Sequence, residues 1–276
     1  MINKFGSFQN TARNIGNITG VTISVFLRNE AVFMRIYHLF RLTDSIDIPK
    51  SEVEKHIDSF KDYVNGTIFN ANFPIKFTPL LLRVIAHMVG DGSTSSNMLR
   101  WIQLDVSPLQ NLIKQILGVD IKESCKYQLT IPAFLGKIIC TALNINSKDI
   151  KSPLFIEKVT KLPRPFKIQL LLAIIDDEGT IEENSINIRM ADKKLLSSIR
   201  ELTESLNLDV SKIGESINNG SFGNKKSKIF RFRIRADGLN RLMPEVNTLS
   251  NFGLPGLIVK HSALNRHLWR TTNDRC

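Results

Sequence analysis

In the stretch HMVGDGSTSS, residues 87–96, an aspartate stands between two glycines directly after the apolar run LLRVIA. One Asp-Gly at such a place reads as a helix end followed by a turn, because glycine takes the dihedrals that close a last helical turn. A second copy changes that reading. The segment PFKIQLLLAIIDDEGTI, residues 165–181, follows the plan of TPLLLRVIAHMVGDGST, residues 78–94. An offset of 87 residues joins Asp91 to Glu178, and the same offset joins Val84 to Leu171, Ala86 to Ala173 and Gly92 to Gly179. Both segments are predicted helices ended by an acid and a glycine; Thr78 caps the first, with Pro79 in its first turn, and Pro165 lies in the first turn of the second. Packed side by side through Ala86 and Ala173, such helices bring the two carboxylates together at ends where the helix dipole is negative. The carboxylates then repel each other and require cations. Mg²⁺, which prefers oxygen ligands and keeps waters, suits that demand.

The elements that must position these acids repeat as well. NMLRWIQLD, residues 97–105, and SINIRMA, residues 185–191, read as strands, each leading into a helix, SPLQNLIKQIL at 107–117 and KKLLSSIRELTESL at 193–206. Further strands, KYQLTI at 126–131 and KIFRFRIRA at 228–236, precede a last helical stretch in each half, and INNGSFGNKKSK, residues 217–228, reads as the tip of a long hairpin. Strand alternation sends Phe230, Phe232 and Ile234 to the core and sets Arg231, Arg233 and Arg235 in a row on the other face. The same alternation buries Ile186, Ile188 and Met190 and exposes Asn187 and Arg189. In KYQLTI it buries Tyr127, Leu129 and Ile131 and exposes Lys126, Gln128 and Thr130. In NMLRWIQLD it puts Arg100 on the side of Met98, Ile102 and Leu104. Arg, Lys, Asn and Gln are the side chains that reach phosphates and base edges, so the face reads either as a nucleic-acid surface, extended by Lys225, Lys226 and Lys228, or as a solvated sheet.

Composition agrees with a polyanionic partner. Among 276 residues, 37 Lys and Arg stand against 26 Asp and Glu, a net charge of +11 with a pI near 9.7, which favours nucleic acid ahead of a membrane surface. With 42% hydrophobic residues the chain is long enough to bury a sizeable core. Cys125, Cys140 and Cys276 show neither CxxC nor Cys/His ligand spacing, which argues against a disulfide framework and a structural zinc. The five histidines show no ligand spacing either, and His87 is expected at the helix interface. No apolar run approaches the roughly 20 residues a membrane helix needs, and the start has no signal-like apolar core, so the expected location is the cytoplasm.

The pair VIAHMVGDG, 84–92, and LLAIIDDEG, 171–179, resembles the two signature motifs of a single-chain LAGLIDADG homing endonuclease, and the order of elements after each motif is similar to that family's halves. The resemblance spans roughly residues 76–245. It implies an α+β fold, a pseudo-symmetric pair of αββαββα halves whose antiparallel sheets form a DNA saddle, plus a helical N-terminal extension. The division is 1–75 for the extension, 76–160 for the first half and 161–276 for the second half with its basic tail. It implies a monomer with internal pseudo-twofold symmetry that cuts double-stranded DNA with Mg²⁺ or Mn²⁺ held by Asp91 and Glu178. An intron-encoded protein would be nucleoid-associated or organellar. Gln103 and Arg189 stand roughly where the family orients water, and Arg235 where it carries a basic residue, whereas the matching end of KYQLTIP offers Ile131. A non-catalytic binder on the same scaffold, a transcription regulator or an RNA maturase with structured RNA as partner, is the alternative. In the extension, RNEAVFMRIYHLFRL and KSEVEKHIDSFKDYV have helical spacing and suit either a helix-turn-helix reader or a packing extension. GLIVKHSALNRHLWRTTN, 256–273, is a basic helix candidate.

Overall fold

The computed structural model describes residues 36–45, 47–57, 59–62, 66–94, 98–219 and 226–259. The chain divides into two compact units, one of residues 1–75 with 117–119 and one of 76–116 with 120–276. In the smaller unit, helices α1 (Ile36–Asp44) and α2 (Lys50–Glu54) precede a hairpin of β1 (Ser59–Asp62) and β2 (Gly66–Phe69). The helical spacing of KSEVEKHIDSFKDYV therefore does not hold through its length: five residues form a helix and SFKD pairs with GTIF. A helix that short has little to sustain it, while the ladder gives Ser59–Asp62 backbone partners. Residues 28–35 of the first pattern lie outside the described residues.

The larger unit contains two repeats of one order. The first runs α3 (Pro79–Ala86), β3 (Gly92–Thr94), β4 (Leu99–Ile102), α4 (Ser107–Leu117), β5 (Glu123–Cys125), β6 (Gln128–Ile131) and α5 (Ala133–Leu143). A short 3₁₀ segment (Ser147–Lys151) and α6 (Pro153–Thr160) connect the repeats. The second runs α7 (Arg164–Glu178), β7 (Gly179–Glu182), β8 (Ser185–Met190), α8 (Lys193–Ser205), β9 (Gly214–Asn219), β10 (Lys226–Ile234) and α9 (Ala236–Asn251). Each forms a four-stranded antiparallel sheet of the same topology, β3-β4-β6-β5 and β7-β8-β10-β9. This is the α+β fold of paired αββαββα halves expected from the sequence.

Local chemistry starts these helices. The Thr78 hydroxyl accepts from the Leu81 amide, and Pro79 occupies the first turn of α3. Asp192 caps α8 through the amides of Lys194 and Leu195. Leu99, Trp101, Leu129 and Ile131 line the buried face of the first sheet, with Leu109, Ile113, Leu135 and Ile139 from α4 and α5 also in the core. Ile186, Ile188, Phe232 and Ile234 do the same in the second, with Leu195, Ile199, Leu239 and Leu242. Full burial of each such side chain stabilises by about 1.5–3 kcal/mol.

The halves meet where α3 packs on α7, and both Ala86 and Ala173 are fully buried there. A polar lacing crosses this seam. The buried Arg83 guanidinium pairs with Asp176 and donates to the carbonyls of Gln169 (3.1 Å) and Gly256 (3.2 Å). Gln169 donates to the Pro255 carbonyl (3.0 Å), and Asp176 accepts from the amides of Ile258 (2.9 Å) and Val259 (3.0 Å). The described start of the expected basic tail is thus a strap of backbone read by three buried side chains; residues 260–273 lie outside the described part. Burial pushes the Arg83 guanidinium below its usual pKa, while Asp176 and Asp177 pull it back. Arg83→Met leaves Asp176 without its countercharge, and the expected cost is about 3–5 kcal/mol in urea unfolding. A loss under about 1 kcal/mol, the value of an exposed pair, would show that the lacing contributes little.

Candidate active site

The two motifs end differently. Glu178 is the last residue of α7, and Gly179 leaves in extended conformation. In the first motif the α-helix stops at Ala86, and the chain continues through Met88→Ile85 (3.0 Å) and Val89→Ala86 (2.9 Å) bonds of the tighter i→i−3 kind. Asp91 therefore lies past the helix end, contrary to the sequence expectation. The Gly-Asp-Gly run is a poor helix propagator, which accounts for the early stop. A side chain on Gly92 would come within 2.3 Å of Met88 Cα, and one on Gly179 within 2.5 Å of the Ile175 carbonyl oxygen, so both sharp entries into a strand require glycine.

One residue before each acid, the motifs touch. A Cβ on Gly90 would stand 2.4 Å from Cβ of Asp177, the residue that matches Gly90 at the 87-residue offset. Asp177 is gripped by the first half: His87 Nδ1 lies 2.9 Å from its Oδ1, the Trp101 indole donates to the same oxygen (3.3 Å), and the two rings tilt together at 5.1 Å. His87 is the interface residue anticipated from its position. Asp91 is held on both sides. The Gln103 amide donates to its carboxylate, while the Lys151 ammonium donates to the carbonyls of Gly90 (3.0 Å) and Gly92 (2.7 Å). Nothing around Lys151 in the sequence marked it, because the contact spans about 60 residues.

The ladders fix which strand residues correspond between the halves. Gly92 pairs with Trp101 and Gly179 with Ile188, so the position two residues on is Gln103 in one half and Met190 in the other. Met190 is buried. Arg189 is level with Ile102 and points to the open face, so it does not mirror Gln103. Likewise β6 and β10 align Gln128 with Arg231, Thr130 with Arg233, and Pro132, not Ile131, with Arg235.

The open faces differ from expectation at several positions. Asn187 is 0% and Thr130 2% exposed. Asn187 lies across from Arg233 and donates to Glu182 (3.3 Å), and Thr130 lies across from Arg100, so longer neighbours cover short side chains. Tyr127 leaves the strand at a positive φ of 68° and is exposed, with the Lys126 ammonium 4.8 Å from its ring centre. Gln128 is half-buried, bonding Ser124. Arg231 and Arg189, both exposed, stand directly opposite each other in the ladder, a like-charge pair that an anion relieves. Arg233 lies 3.6 Å from Glu182 and Arg235 3.3 Å from Asp209. The Glu182 carboxyl is held below the usual range, first by the Ser185 hydroxyl, then by Asn187, Arg233 and Arg189. Lys228 shares the strand side of Phe230 and pairs with Glu215 (2.7 Å), away from the arginine row. Lys226 is the first residue of β10, and Lys225 lies outside the described residues.

Chemically, the seam offers two carboxylates, one oriented by an amide, at the ends of packed chain segments. Among the described residues no cluster of three or more His, Cys, Asp or Glu stands together as a metal site. Carboxylate oxygens are hard donors of the kind that suit Mg²⁺ or Mn²⁺. No described helix is long and apolar enough to cross a membrane.

No family model and no curated protein matches the chain. Among solved structures it is similar to mesophilic variants of the homing endonuclease I-DmoI, at 14% identity and a TM-score of 0.40, over 68% of this chain and 98% of that one. It is also similar to I-DmoI in complex with DNA and Ca, at 16% identity and a TM-score of 0.38, over the same 68% and 98%.

Lys151→Met removes both bonds that pin the turn around Asp91. Amide exchange at Asp91 and Gly92 is then expected to quicken about tenfold, the equivalent of one lost hydrogen bond. Hydrogen-exchange mass spectrometry with Lys151→Arg as the conservative control measures it; unchanged protection would mean the lysine merely overlies the turn.

Proposed function

We propose that this chain is a site-specific, divalent-metal-dependent double-strand DNA endonuclease of the LAGLIDADG homing type. The observation that carries the reading is the contact of Gly90 with Asp177, which joins the two motif ends one residue before Asp91 and Glu178. The Gln103 bond to Asp91 and the arginines of the second sheet support it. Asp91 and Glu178 would hold Mg²⁺ or Mn²⁺, and the bound ion supplies Lewis acidity and an activated water for phosphodiester hydrolysis.

The chain's own residues then have separable tasks. Gln103 fixes the orientation of the Asp91 carboxylate, and Lys151 fixes the backbone that carries it. His87 and Trp101 hold Asp177 and thereby the end of α7 from which Glu178 projects. Arg189, Arg231 and Arg233 take phosphates, which positions the duplex without specifying its sequence.

A non-catalytic nucleic-acid binder is the second reading. The buried Met190 level with Gln103 and Pro132 level with Arg235 favour it, since each half then lacks one polar group that the other carries.

Asp91→Asn and Glu178→Gln keep shape and remove one charge each. Cleavage of a cognate duplex in Mg²⁺ is expected to fall about a thousandfold, while duplex affinity holds or rises as repulsion from phosphates is relieved. Cleavage kinetics, filter binding and melting temperature in parallel check this. A wild type that binds duplex tightly yet cuts nothing in Mg²⁺ or Mn²⁺ supports the second reading, and variants that fail to fold would make the acids structural.

A further inference from the structure

The equivalences set by the ladders expose a contrast between the halves. At the end of each sheet nearest the motif acids, the second half carries the facing pair Arg189 and Arg231, and the first half carries Ile102 and Gln128. The Ile102 amide bonds the Asp91 carbonyl (3.4 Å), so this part of the sheet adjoins the first motif. Ile102, the last residue of β4, is 54% exposed, and Leu104, in the bend just past the strand, is 84% exposed. Neither side chain serves the core. Exposed aliphatic side chains grouped on a surface mark a contact site, and this group adjoins a candidate DNA-cleaving centre on a chain of net charge +11.

Resting on the DNA-binding reading above, we propose that the two sheets hold their half-sites by different chemistry. The second sheet grips phosphates through Arg189 and Arg231, whereas the first reads base edges, with Ile102 and Leu104 against thymine methyl groups. In the major groove the thymine C5-methyl is the apolar feature a base pair presents, and aliphatic side chains recognise it by contact. Guanidinium groups instead supply the sequence-independent, salt-sensitive part of the affinity. The duplex is thus read asymmetrically by a pseudo-symmetric protein.

The test starts from duplexes recovered from a randomised pool by the full chain. An iron chelate on the exposed Cys125 of β5, in a Cys276→Ser background, identifies which half-site lies under the first sheet. Uracil is then substituted for thymine in one half-site at a time. The expected result is an affinity loss of about fourfold for each methyl contacted in the first half-site and little change in the second. Ile102→Ala should reduce that difference, and Ile102→Ala with Leu104→Ala should abolish it, without altering salt dependence. Ile102→Arg should instead steepen the slope of log K against log salt by about 0.9, and Arg231→Gln should flatten it by about 0.9. Melting temperatures confirm that each variant is folded, which the exposure of Ile102 favours. A first half-site without thymine, equal uracil effects in both half-sites, or full duplex affinity and uracil sensitivity in Ile102→Ala would each overturn the inference alone; the last outcome fits an apolar patch used by a protein partner. Failure of the wild type to bind any duplex would overturn the endonuclease reading and this inference with it.

Discussion

The seam between α3 and α7 is the constraint on which the larger unit depends. Two motif segments pack closely enough that Gly90 lies against the Cβ of Asp177, and a methyl group in that space would force the pair apart. Close approach sets both the separation of the halves and the proximity of the chain ends that carry Asp91 and Glu178. The seam is also costly, because it buries Arg83, Asp176, Gln169 and His87. Hydrogen bonding offsets that cost only if it is nearly complete. The strap of residues 255–259 contributes to it by supplying carbonyls to Arg83 and Gln169 and amides to Asp176, while Arg83 Nε, Gln169 Oε1 and His87 Nε2 find no partner among the described residues. Residues more than 70 positions away in sequence are thereby part of the helix pair's own polar accounting.

Pseudo-symmetry in this chain is a property of the backbone more than of the side chains. Strand order and element order repeat, yet nearly every polar position at the seam is used once. Arg83 aligns with Leu170, Asp176 with Val89, and Gly90 with Asp177 at the 87-residue offset. A buried charged pair needs one member from each side, so two identical halves would place like beside like. Divergence of the two motifs is what permits a bridge across the seam. The same freedom extends to the open faces, where one half accumulates arginine and the other keeps aliphatic and amide side chains.

Electrostatics and packing meet at the acids. Glu178 ends a full α-helix, where the partial negative charge of the last carbonyls adds to its own. Asp91 sits beyond a helix that has already tightened, and a lysine ammonium caps the carbonyls on both sides of it. The two carboxylates therefore occupy unlike electrostatic settings although they end matching motifs. Gln103 adds a donor to one and Met190 none to the other, which carries the difference into the strands.

The sequence by itself determined the repeat, the element order and the kind of chemistry. Apolar spacing marked the motif helices, alternation marked KIFRFRIRA with Phe232 and Ile234 inward, though Phe230, expected with them, is only half-buried under the Lys193 ammonium, and the bounds of SPLQNLIKQIL as a helix were legible from its periodicity; these are signals within a few residues of one another. Register was not legible from the family resemblance, which set Arg189 roughly where Gln103 stands and Arg235 against Ile131, whereas hydrogen-bonded ladders put Met190 and Pro132 there. Burial of Asn187 and Thr130 depended on which longer side chain lies across the ladder, which alternation does not encode. KSEVEKHIDSFKDYV kept helical spacing but broke into a short helix and a strand, because pairing with residues 66–69 competes with local preference. Lys151, Trp101 and the strap reach the seam only through tertiary structure. Their partners lie tens of residues away, and only the folded chain decides which distant donor meets which buried acceptor.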